Sequence, residues 1–385
     1  MKDLFVLCGA PGCGKSTFIK THGYEDFTIS SDAIRLMFEA PVYNEHGDRM
    51  ISQRNDKLVW QTLYSLVEQR MKTGSVIFVD ATHTGKNAFS KYRKLALRYS
   101  YCIHAIVFRV PVEQCLKNNK SRVAYKQVPD EVVEEHCERV EARVFPQWVD
   151  EIDSEDWKPL NTYNRKHFLS FDDYKDVVVI GDVHGCYHEL IKHGLTDMKR
   201  EVAYIFTGDY LDRGVENDKV MRFMLSICDL PNVFLLEGNH ERHIASFAFG
   251  EKAISNEFER YTRAQLDALG LSKEKYKSFC SRLHPYLVAS HRKNTFFICH
   301  GGVSDPCIFS DPFVPDEVFV KGTGSYNALD ETIAAWHRNS NKGQYQIHGH
   351  RNIQRYPIKE GDRMFNLEGQ VEFGGNLRVL SLNAI

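Results

Sequence analysis

Several short apolar segments lead directly into polar residues whose types and spacing fit phosphate chemistry. The first segment, LFVLC, precedes residues 9–16, GAPGCGKS, which match the pattern G-x-x-x-x-G-K-[ST]. In such a loop the backbone N–H groups surround a phosphate, the lysine adds a positive charge and the hydroxyl binds Mg²⁺. The residues expected to bind a nucleoside triphosphate are Gly9, Gly12, Gly14, Lys15, Ser16 and Thr17, with Ser16 also a Mg²⁺ ligand.

Two acidic residues follow the next apolar segments. Asp32 comes after FTIS, where its carboxylate can accept the proton of an attacking hydroxyl, and Arg35 lies one helical turn further on, beside a substrate phosphate. Asp80 ends the run SVIFV, and we expect it to orient Mg²⁺ or a substrate group. The alternatives are plain capping roles: a helix N-cap for Asp32 and a strand-end cap for Asp80.

A basic segment, KNNKSR, ends at Arg122 and precedes a charged helical stretch. A cation in a mobile segment after the third strand can close over a triphosphate as a lid, and this is our hypothesis for Arg122. The alternative is a solvated basic turn, which we favour for Lys117 and Lys120.

The second half of the chain repeats a different pattern. Its five blocks are GDVHG from residue 181, GDYLDRG from residue 208, GNHE from residue 238, HGG from residue 300 and HGH from residue 348. Carboxylate, amide and imidazole ligands suit a pair of divalent ions about 3.5–4 Å apart, which activate water for phosphoester hydrolysis. A lone histidine is more often structural, but five such blocks in this order favour a two-metal phosphoesterase site.

The elements that must position these residues are α/β in both halves. Within residues 1–150, apolar strands alternate with helical patterns, which predicts a parallel sheet with helices on both faces. Within residues 175–385, the strands DVVVI, VAYIF, NVFLL and TFFIC each end in glycine and polar residues, where α/β sheets bind ligands. The acidic, aliphatic-poor stretch between them predicts a linker over residues 151–174.

Composition sets further limits. The 385 residues are 43% hydrophobic and 26% charged, which excludes disordered, collagen-like and disulfide-dense classes. No apolar run reaches the roughly 18–20 residues of a membrane-spanning helix, and the N-terminal run is too short for a signal peptide. None of the ten cysteines forms a CxxC pair, so we expect reduced thiols in a cytoplasmic protein without structural zinc. The net charge of −2 means that local grooves, not a global field, would bind a polyanion.

Residues 1–150 resemble the polynucleotide 5′-hydroxyl kinases in the glycine loop, the S-x-D-x-x-R-like motif, the D-x-T-[NH]-like strand end and the lid arginine. The resemblance implies that Asp32 is the general base for the 5′-OH of a nucleic acid and that Arg35 contacts the neighbouring phosphate. Family members often carry two lid arginines four residues apart, whereas Asn118 occupies the first position here. Arg122 would then close over ATP alone or with a lysine.

Residues 175–385 resemble the calcineurin-like metallophosphoesterases, across all five blocks. The implied ligands are Asp182 and His184 for the first metal, a bridging Asp209, and Asn239, His300 and His350 for the second metal. The resemblance also implies that Arg213 clamps a substrate phosphate and that His240, oriented by Asp212, acts as general acid or polarises the phosphate.

Two residues near these blocks each have two interpretations. His348 is interpreted as structural or as a support for its neighbour His350. Glu368 stands where many calcineurin-like relatives have an aspartate, with a plain surface acid as the alternative.

A kinase followed by a binuclear phosphatase resembles the bacterial polynucleotide kinase–phosphatases of RNA repair. The resemblance implies end healing: ATP and Mg²⁺ serve the kinase, two divalent metals such as Mn²⁺ serve the phosphatase, and RNA or DNA strand ends are the partners. No K-x-D-G nucleotidyl-transfer motif is present, so we expect a separate ligase. Because no apolar run is long enough to span a bilayer, we expect no membrane partner.

Two alternatives keep other classes open. One is an enzyme of nucleotide or dinucleoside-polyphosphate metabolism, and the other is a phosphatase regulated by an ATP-binding switch domain. The aromatic residues Tyr43, Trp60 and Tyr210 either stack on bases or, as we favour, pack within the protein.

Overall fold

The computed structural model describes residues 2–158, 160, 168–352, 355 and 357–385 of the chain. They form two compact units, residues 1–162 and residues 163–385, each with its own sheets and core. Both units are α/β, as the sequence predicted. Within the described ranges, no helix combines the length and the apolar character needed to cross a bilayer.

The N-terminal unit is built on one parallel sheet. Its five strands are β1 (Asp3–Cys8), β2 (Thr28–Ser30), β5 (Ile77–Asp80), β6 (Cys102–Val107) and β7 (Val149–Asp153), in the order β2-β5-β1-β6-β7. A small hairpin adds β3 (Val42–Tyr43) and β4 (Arg49–Met50). The helices are α1 (Lys15–Thr21), α2 (Ser31–Phe38), α3 (Asp56–Lys72), α4 (Ser90–Tyr99), α5 (Val112–Lys120) and α6 (Asp130–Glu141).

The strands of this sheet are almost wholly apolar because helices cover both of their faces. Every residue of β1 is buried. The buried positions of α3 recur every four residues and lie against one face of the sheet. They are Val59, Leu63, Val67 and Met71. On the other side, the rings of Phe5 and Phe78 stack at 4.9 Å.

Strand β7 corrects the expected linker over residues 151–174. The strand pairs in parallel with β6 from Val149 to Asp153, so the sheet extends beyond residue 150. Its acids have partners, because Arg109 bonds to Glu151 and lies 3.5 Å from Asp153. At the other end, residues 168–170 already form a strand of the C-terminal unit. Residues 161–167 of the expected linker lie outside the described residues.

The C-terminal unit contains two sheets. The first consists of β9 (Asp176–Ile180), β10 (Val202–Phe206), β11 (Val233–Leu235) and β17 (Val379–Ser381), in the order β11-β10-β9-β17. The second consists of β8 (Phe168–Ser170), β12 (Tyr286–His291), β13 (Asn294–Cys299), β14 (Gln344–His348), β15 (Lys359–Glu360) and β16 (Met364–Asn366), in the order β15-β16-β14-β13-β12-β8.

Helices cover the outer faces of both sheets. They are α7 (Tyr187–Lys192), α8 (Asn217–Ile227), α9 (Glu241–Ala248), α10 (Arg263–Ala268), α11 (Lys273–Cys280), α12 (Asp316–Lys321) and α13 (Leu329–Asn339). Val177 and Ile205 of the first sheet pack with Leu287 and Ile298 of the second in a shared core. This unit is therefore a sandwich with helical outer layers.

The sandwich explains how distant polar blocks meet. Strands β9, β10 and β11 run parallel, as do β13 and β14, so the residues that follow them gather at one edge of each sheet.

Candidate active sites

The glycine loop of the N-terminal unit is folded around its own lysine. Lys15 Nζ donates hydrogen bonds of 2.8 Å to the carbonyl oxygens of Gly9 and Ala10. Gly12 and Gly14 have φ values of 83° and 101°, which glycine adopts without strain. The loop thus has the left-handed turns that let backbone N–H groups face a phosphate.

Helix α5 supports this loop from behind. Asn118 Nδ2 donates to the carbonyl oxygen of Gly12 at 2.8 Å. A Cβ on Gly12 would overlap the carbonyl oxygen of Cys115. Asn118 therefore contacts the loop itself, at the position where the resembling kinases carry a lid arginine.

A Mg²⁺-type arrangement lies beside the loop. Ser16 Oγ donates to Asp80 Oδ2 at 3.1 Å, so the hydroxyl and the carboxylate that the sequence singled out are in direct contact. Burial raises the pKa of Asp80, while the positive charges of Lys15 and Arg122 lower it. The Ser16 hydroxyl and the Asp80 carboxylate lie next to the glycine loop, and oxygen donors of this kind fit Mg²⁺.

The acid and arginine of α2 form a pair next to this position. Ser30 caps the helix, with its Oγ accepting from the Ala33 N–H at 3.4 Å, so Asp32 is not the N-cap. Arg35 Nη1 donates to Asp32 at 3.0 Å, and Arg35 Nη2 donates to Asp56 at 2.6 Å. The Asp32 side chain stays 43% exposed and its charge reaches Asp80. Asp56 was not predicted, because an acid at a helix start is usually only a helix-dipole partner.

In the C-terminal unit, Asp209 lies at the centre of a buried polar cluster. Its Oδ2 is 3.2 Å from His300 Nε2 and 3.6 Å from His184 Nε2. Asn239 Oδ1 is 3.2 Å from the same His300 nitrogen. The sets whose ligand atoms all lie within 4.8 Å include Asp182–His184–Glu368, His184–Asp209–His240 and Asp209–His300–His350.

The donors of this cluster suit two divalent cations. Burial and the nearby carboxylate of Glu368 raise the pKa of Asp182 well above its usual range. Burial opposes ionisation of Asp209 too, but the charges of His300 and His240 hold its pKa well below that range. Buried carboxylates and imidazoles in direct contact need positive charge to offset their desolvation, and divalent ions supply it. His300 Nδ1 lies 3.0 Å from the carbonyl oxygen of Thr207, which leaves Nε2 to face Asp209.

Glu241 ties two strand ends of the site together. Its carboxylate accepts hydrogen bonds from the backbone N–H groups of Asp209, Tyr210 and Gly238, at 2.9, 3.0 and 2.7 Å. The residue belongs to the predicted GNHE block, but no role was predicted for it. Its position in the sequence did not indicate this role, because two of its three partners lie 32 and 31 residues away and the third, 3 residues away, is a backbone N–H group.

His240 and Asp212 form the predicted pair. His240 Nδ1 lies 3.0 Å from Asp212 Oδ2, and Thr262 Oγ1 donates to the other carboxylate oxygen at 2.9 Å. Burial lowers the pKa of His240, but the charge of Asp209 and the bond to Asp212 outweigh burial and raise it. A protonated imidazole beside the cluster is able to donate a proton to a leaving oxygen.

Comparison with known proteins gives each unit a family. Residues 4–147 match the AAA domain family, and residues 175–365 match the calcineurin-like phosphoesterases. The chain is a P-loop kinase-like AAA domain followed by a calcineurin-like metallophosphoesterase domain. This order of domains matches a kinase–phosphatase fusion architecture, as the motifs predicted.

Curated relatives are phosphatases. The chain is 26% identical over 132 residues to serine/threonine-protein phosphatase 2B catalytic subunit A1 of Saccharomyces cerevisiae, covering 33% of this chain and 22% of that protein. It is 25% identical over 209 residues to the PP2A-like phosphatase PPG1 of Candida albicans, covering 52% and 43%. It is 25% identical over 191 residues to the bis(5′-nucleosyl)-tetraphosphatase PrpE of Oceanobacillus iheyensis, covering 45% and 75%. The chain thus spans less than half of the first two relatives.

Arg213 is a partly exposed residue next to the buried polar cluster. Its Nη1 donates to Glu372 Oε1 at 2.9 Å and lies 3.4 Å from His184 Nε2. The Arg213 side chain is 35% exposed, so solvent reaches it. Glu372 was not predicted, because it lies 159 residues away in sequence.

Five polar residues of the phosphoesterase domain share an unusual backbone. They have positive φ although they are not glycine: His184 (43°), Asp209 (52°), Asp212 (82°), Arg213 (69°) and His350 (65°). Each follows a strand end at which the chain turns sharply. The turn brings the side chain or backbone of each residue into the polar cluster, as the His350 N–H shows by donating to Asp182 at 2.9 Å.

The three aromatic residues considered for base stacking, and Glu368, differ in their burial and their contacts. Tyr210 is fully buried and its hydroxyl donates to the Leu236 carbonyl, so it cannot stack on a base. Tyr43 is 70% exposed, whereas Trp60 stacks on Tyr64. Glu368 is 5% exposed and belongs to the cluster, so it is not a surface acid.

Proposed function

We propose that the chain heals nucleic-acid ends, with a 5′-hydroxyl kinase in the AAA domain and a 2′,3′-cyclic phosphate and 3′-phosphate phosphoesterase in the second domain. The observation that carries the proposal is the ion pair between the partly exposed Asp32 and the more buried Arg35, in the same domain as the Ser16–Asp80 bond. An ATP-dependent switch needs neither a proton-accepting carboxylate nor a phosphate-binding arginine at this position. A kinase that acts on a hydroxyl next to a phosphate needs both.

In the kinase step, the γ-phosphoryl group of ATP passes to the 5′-hydroxyl oxygen and ADP leaves. Asp32 accepts the proton of the hydroxyl, and Arg35 binds the phosphate of the neighbouring nucleotide. Lys15 and Arg122 neutralise charge on the transferring group, and Ser16 and Asp80 are the residues that would hold Mg²⁺, which would supply further charge neutralisation.

In the phosphoesterase step, the chain's own residues bind the ester and manage its protons. The residues that would hold two divalent ions such as Mn²⁺ are Asp182, His184, Asp209, Asn239, His300 and His350. When bound, such ions supply charge neutralisation and an activated water. Arg213 binds the phosphate oxygens, and His240, held by Asp212, donates a proton to the leaving oxygen.

A second candidate concerns free nucleotides. The similarity to PrpE, whose printed activity is on a bis(5′-nucleosyl) tetraphosphate, favours hydrolysis of dinucleoside polyphosphates as the alternative for the phosphoesterase domain. Both candidates use the same buried donors, so only the substrate separates them.

The test is one RNA with two reporting ends. An oligonucleotide with a 5′-hydroxyl and a 2′,3′-cyclic phosphate is incubated with [γ-³²P]ATP and Mg²⁺, and then with Mn²⁺. Wild type should label the 5′ end and leave a 3′-hydroxyl. Asp32→Ala should lose the labelling and Asp209→Ala the 3′ activity, each by about 100-fold or more, with the other activity retained.

The exposed acids Asp26 and Asp362 provide matched controls, because neither lies among the site residues. Their alanine variants should keep both activities. If neither RNA end changes while dinucleoside polyphosphates are hydrolysed, the alternative replaces the end-healing proposal. A DNA oligonucleotide of the same sequence then tests the sugar preference.

A further inference from the structure

Glu372 enters the phosphoesterase site from a segment that no motif covers. The backbone turns at Gln370, whose φ is 52°, and this turn directs the next residues toward the site. The Glu372 side chain is 1% exposed, whereas the adjacent Phe373 is 74% exposed. Glutamates are almost never so buried unless a partner offsets the loss of hydration.

The partner of Glu372 satisfies only half of the carboxylate. Oε1 accepts from Arg213 Nη1 at 2.9 Å and lies 3.8 Å from His184 Nε2. Oε2 is buried and has no hydrogen-bond partner among the described residues. The negative charge therefore lies against the one arginine that we assign to the substrate phosphate.

We propose that Glu372 sets the charge preference of this site, so that singly charged phosphodiesters are favoured over doubly charged phosphomonoesters. The inference rests on the proposed phosphoesterase function and narrows it. Arg213 alone would attract a dianion more strongly than a monoanion, and the adjacent carboxylate cancels much of that difference. Opening of a cyclic phosphate, which is a diester, would then exceed removal of a terminal phosphate.

Coulomb's law gives the size of the effect. At an effective dielectric constant of about 20, one unit charge at roughly 6–8 Å changes an equilibrium by tens-fold. Arg213 is partly exposed, and solvent screening reduces this figure. We expect a change in substrate preference of about tenfold.

Glu372→Gln separates charge from position, because the amide oxygen still accepts from Arg213. The substrates are p-nitrophenyl phosphate and bis(p-nitrophenyl) phosphate, which share a leaving group and differ by about one charge. With the full chain and Mn²⁺, the ratio of monoester to diester kcat/KM should rise about tenfold. Calorimetry should show tighter binding of inorganic phosphate by a similar factor.

Two further variants complete the set. Glu372→Asp keeps the charge but shortens the side chain, so its ratio should stay near that of wild type even if both rates fall. Arg213→Gln should lower the ratio, and adding Glu372→Gln to it should raise the ratio again, which tests the inference even if Glu372→Gln alone does not fold. Glu274→Gln is the control, because Glu274 is an exposed acid paired with Lys277 on α11.

A ratio that stays constant in Glu372→Gln, or two rates that fall equally, would overturn the inference and leave Glu372 as a brace for Arg213. If wild type hydrolyses neither ester, the proposed function fails instead. Phosphate binding by wild type and Glu372→Gln then decides the charge preference alone.

Discussion

The two candidate sites differ in how completely they are assembled before any ligand binds. In the phosphoesterase domain, Asp182, Asp209 and His300 are at most 2% exposed. The two ring nitrogens of His300 lie 3.9 Å from Asp182 Oδ1 and 3.2 Å from Asp209 Oδ2. In the AAA domain, Ser16 is exposed and Asp32 is 43% exposed. The fold alone assembles the first site, whereas under the proposed function the second site would be completed by a bound nucleotide and a strand end.

Two buried histidines, one in each domain, differ in how fully their ring nitrogens are bonded. Burial lowers the pKa of both His83 and His184 to about 4. His83 has both ring nitrogens bonded, to the Leu7 carbonyl and the Tyr92 hydroxyl, each at 2.9 Å. His184 has a buried Nδ1 without a hydrogen-bond partner in the described structure. A fully bonded histidine supports the fold, whereas one facing carboxylates is available for a ligand.

The largest expected effect concerns Glu241, and it tests whether the phosphoesterase site is preassembled. Glu241→Ala leaves the three backbone N–H groups of the site loops without their buried acceptor. At about 1–3 kcal/mol for each unsatisfied donor, the domain should lose roughly 3 kcal/mol or more of stability. Phosphoesterase activity should fall with it, while 5′ labelling by the AAA domain persists.

Urea unfolding followed by the near-ultraviolet signal, together with both activity assays, measures this effect. Glu274→Ala on the surface of the same domain should match wild type. An active, fully stable Glu241→Ala would show that the site does not depend on this carboxylate.

The second prediction concerns His83 and the pH dependence of the AAA domain. Its folded pKa of about 4 lies below the ordinary 6.5, so the unfolded chain binds the proton more readily. The stability contribution is therefore complete above pH 6.5 and is lost as the pH falls toward 4. Between pH 6.5 and pH 4 the free energy of unfolding should fall by about 3 kcal/mol because of this residue. In His83→Gln, the free energy of unfolding should depend less on pH over the same range.

Tryptophan fluorescence reports mainly on this domain, because three of the four tryptophans, Trp60, Trp148 and Trp157, lie in the N-terminal unit and Trp336 lies in the other. Urea midpoints at several pH values between 7.5 and 4 give the profile. His46→Gln is the control, since the His46 side chain is 76% exposed. Equal slopes for wild type and His83→Gln would contradict the prediction.

The smallest expected effect concerns Asp56. It tests whether Arg35 of the AAA domain is held in position before a substrate binds. Asp56→Ala releases Arg35 from a partner at 2.6 Å, although Asp56 is 45% exposed. Exposed ion pairs contribute only about 0.2–1 kcal/mol, so the KM for the 5′-hydroxyl strand should change by roughly two- to fivefold, with kcat retained. A large fall in kcat would mean that Asp56, and not Asp32, serves the hydroxyl.

The sequence predicted the fold class and the polar strand ends because both are local patterns. The glycine loop, the HGH block and the apolar strands each occupy a few consecutive residues, and the structure brings the predicted donors together. The acidic strand β7 was missed because its apolar residues, Val149 and Ile152, are outnumbered by acids. Arg109 and the pairing with β6 compensate for those charges, and neither is visible in the segment itself.

The supporting acids could not be predicted for a similar reason. Glu241, Glu372 and Asp56 look like the many surface acids of the chain. Only their burial and their long-range partners distinguish them from other acids. Glu372 pairs with Arg213, 159 residues away, and Asp56 pairs with Arg35, 21 residues away. Sequence spacing carries no information on contacts that the tertiary fold creates.

The left-handed backbone at His184, Asp209, Asp212, Arg213 and His350 has an evolutionary consequence. Each such residue costs of order 1–3 kcal/mol relative to glycine in the same turn, so the site opposes the stability of its own domain. A lineage that no longer needed phosphoester hydrolysis would gain stability by placing glycine or asparagine at these positions. The polar cluster is therefore assembled at a cost in folding stability that glycine at these five positions would avoid.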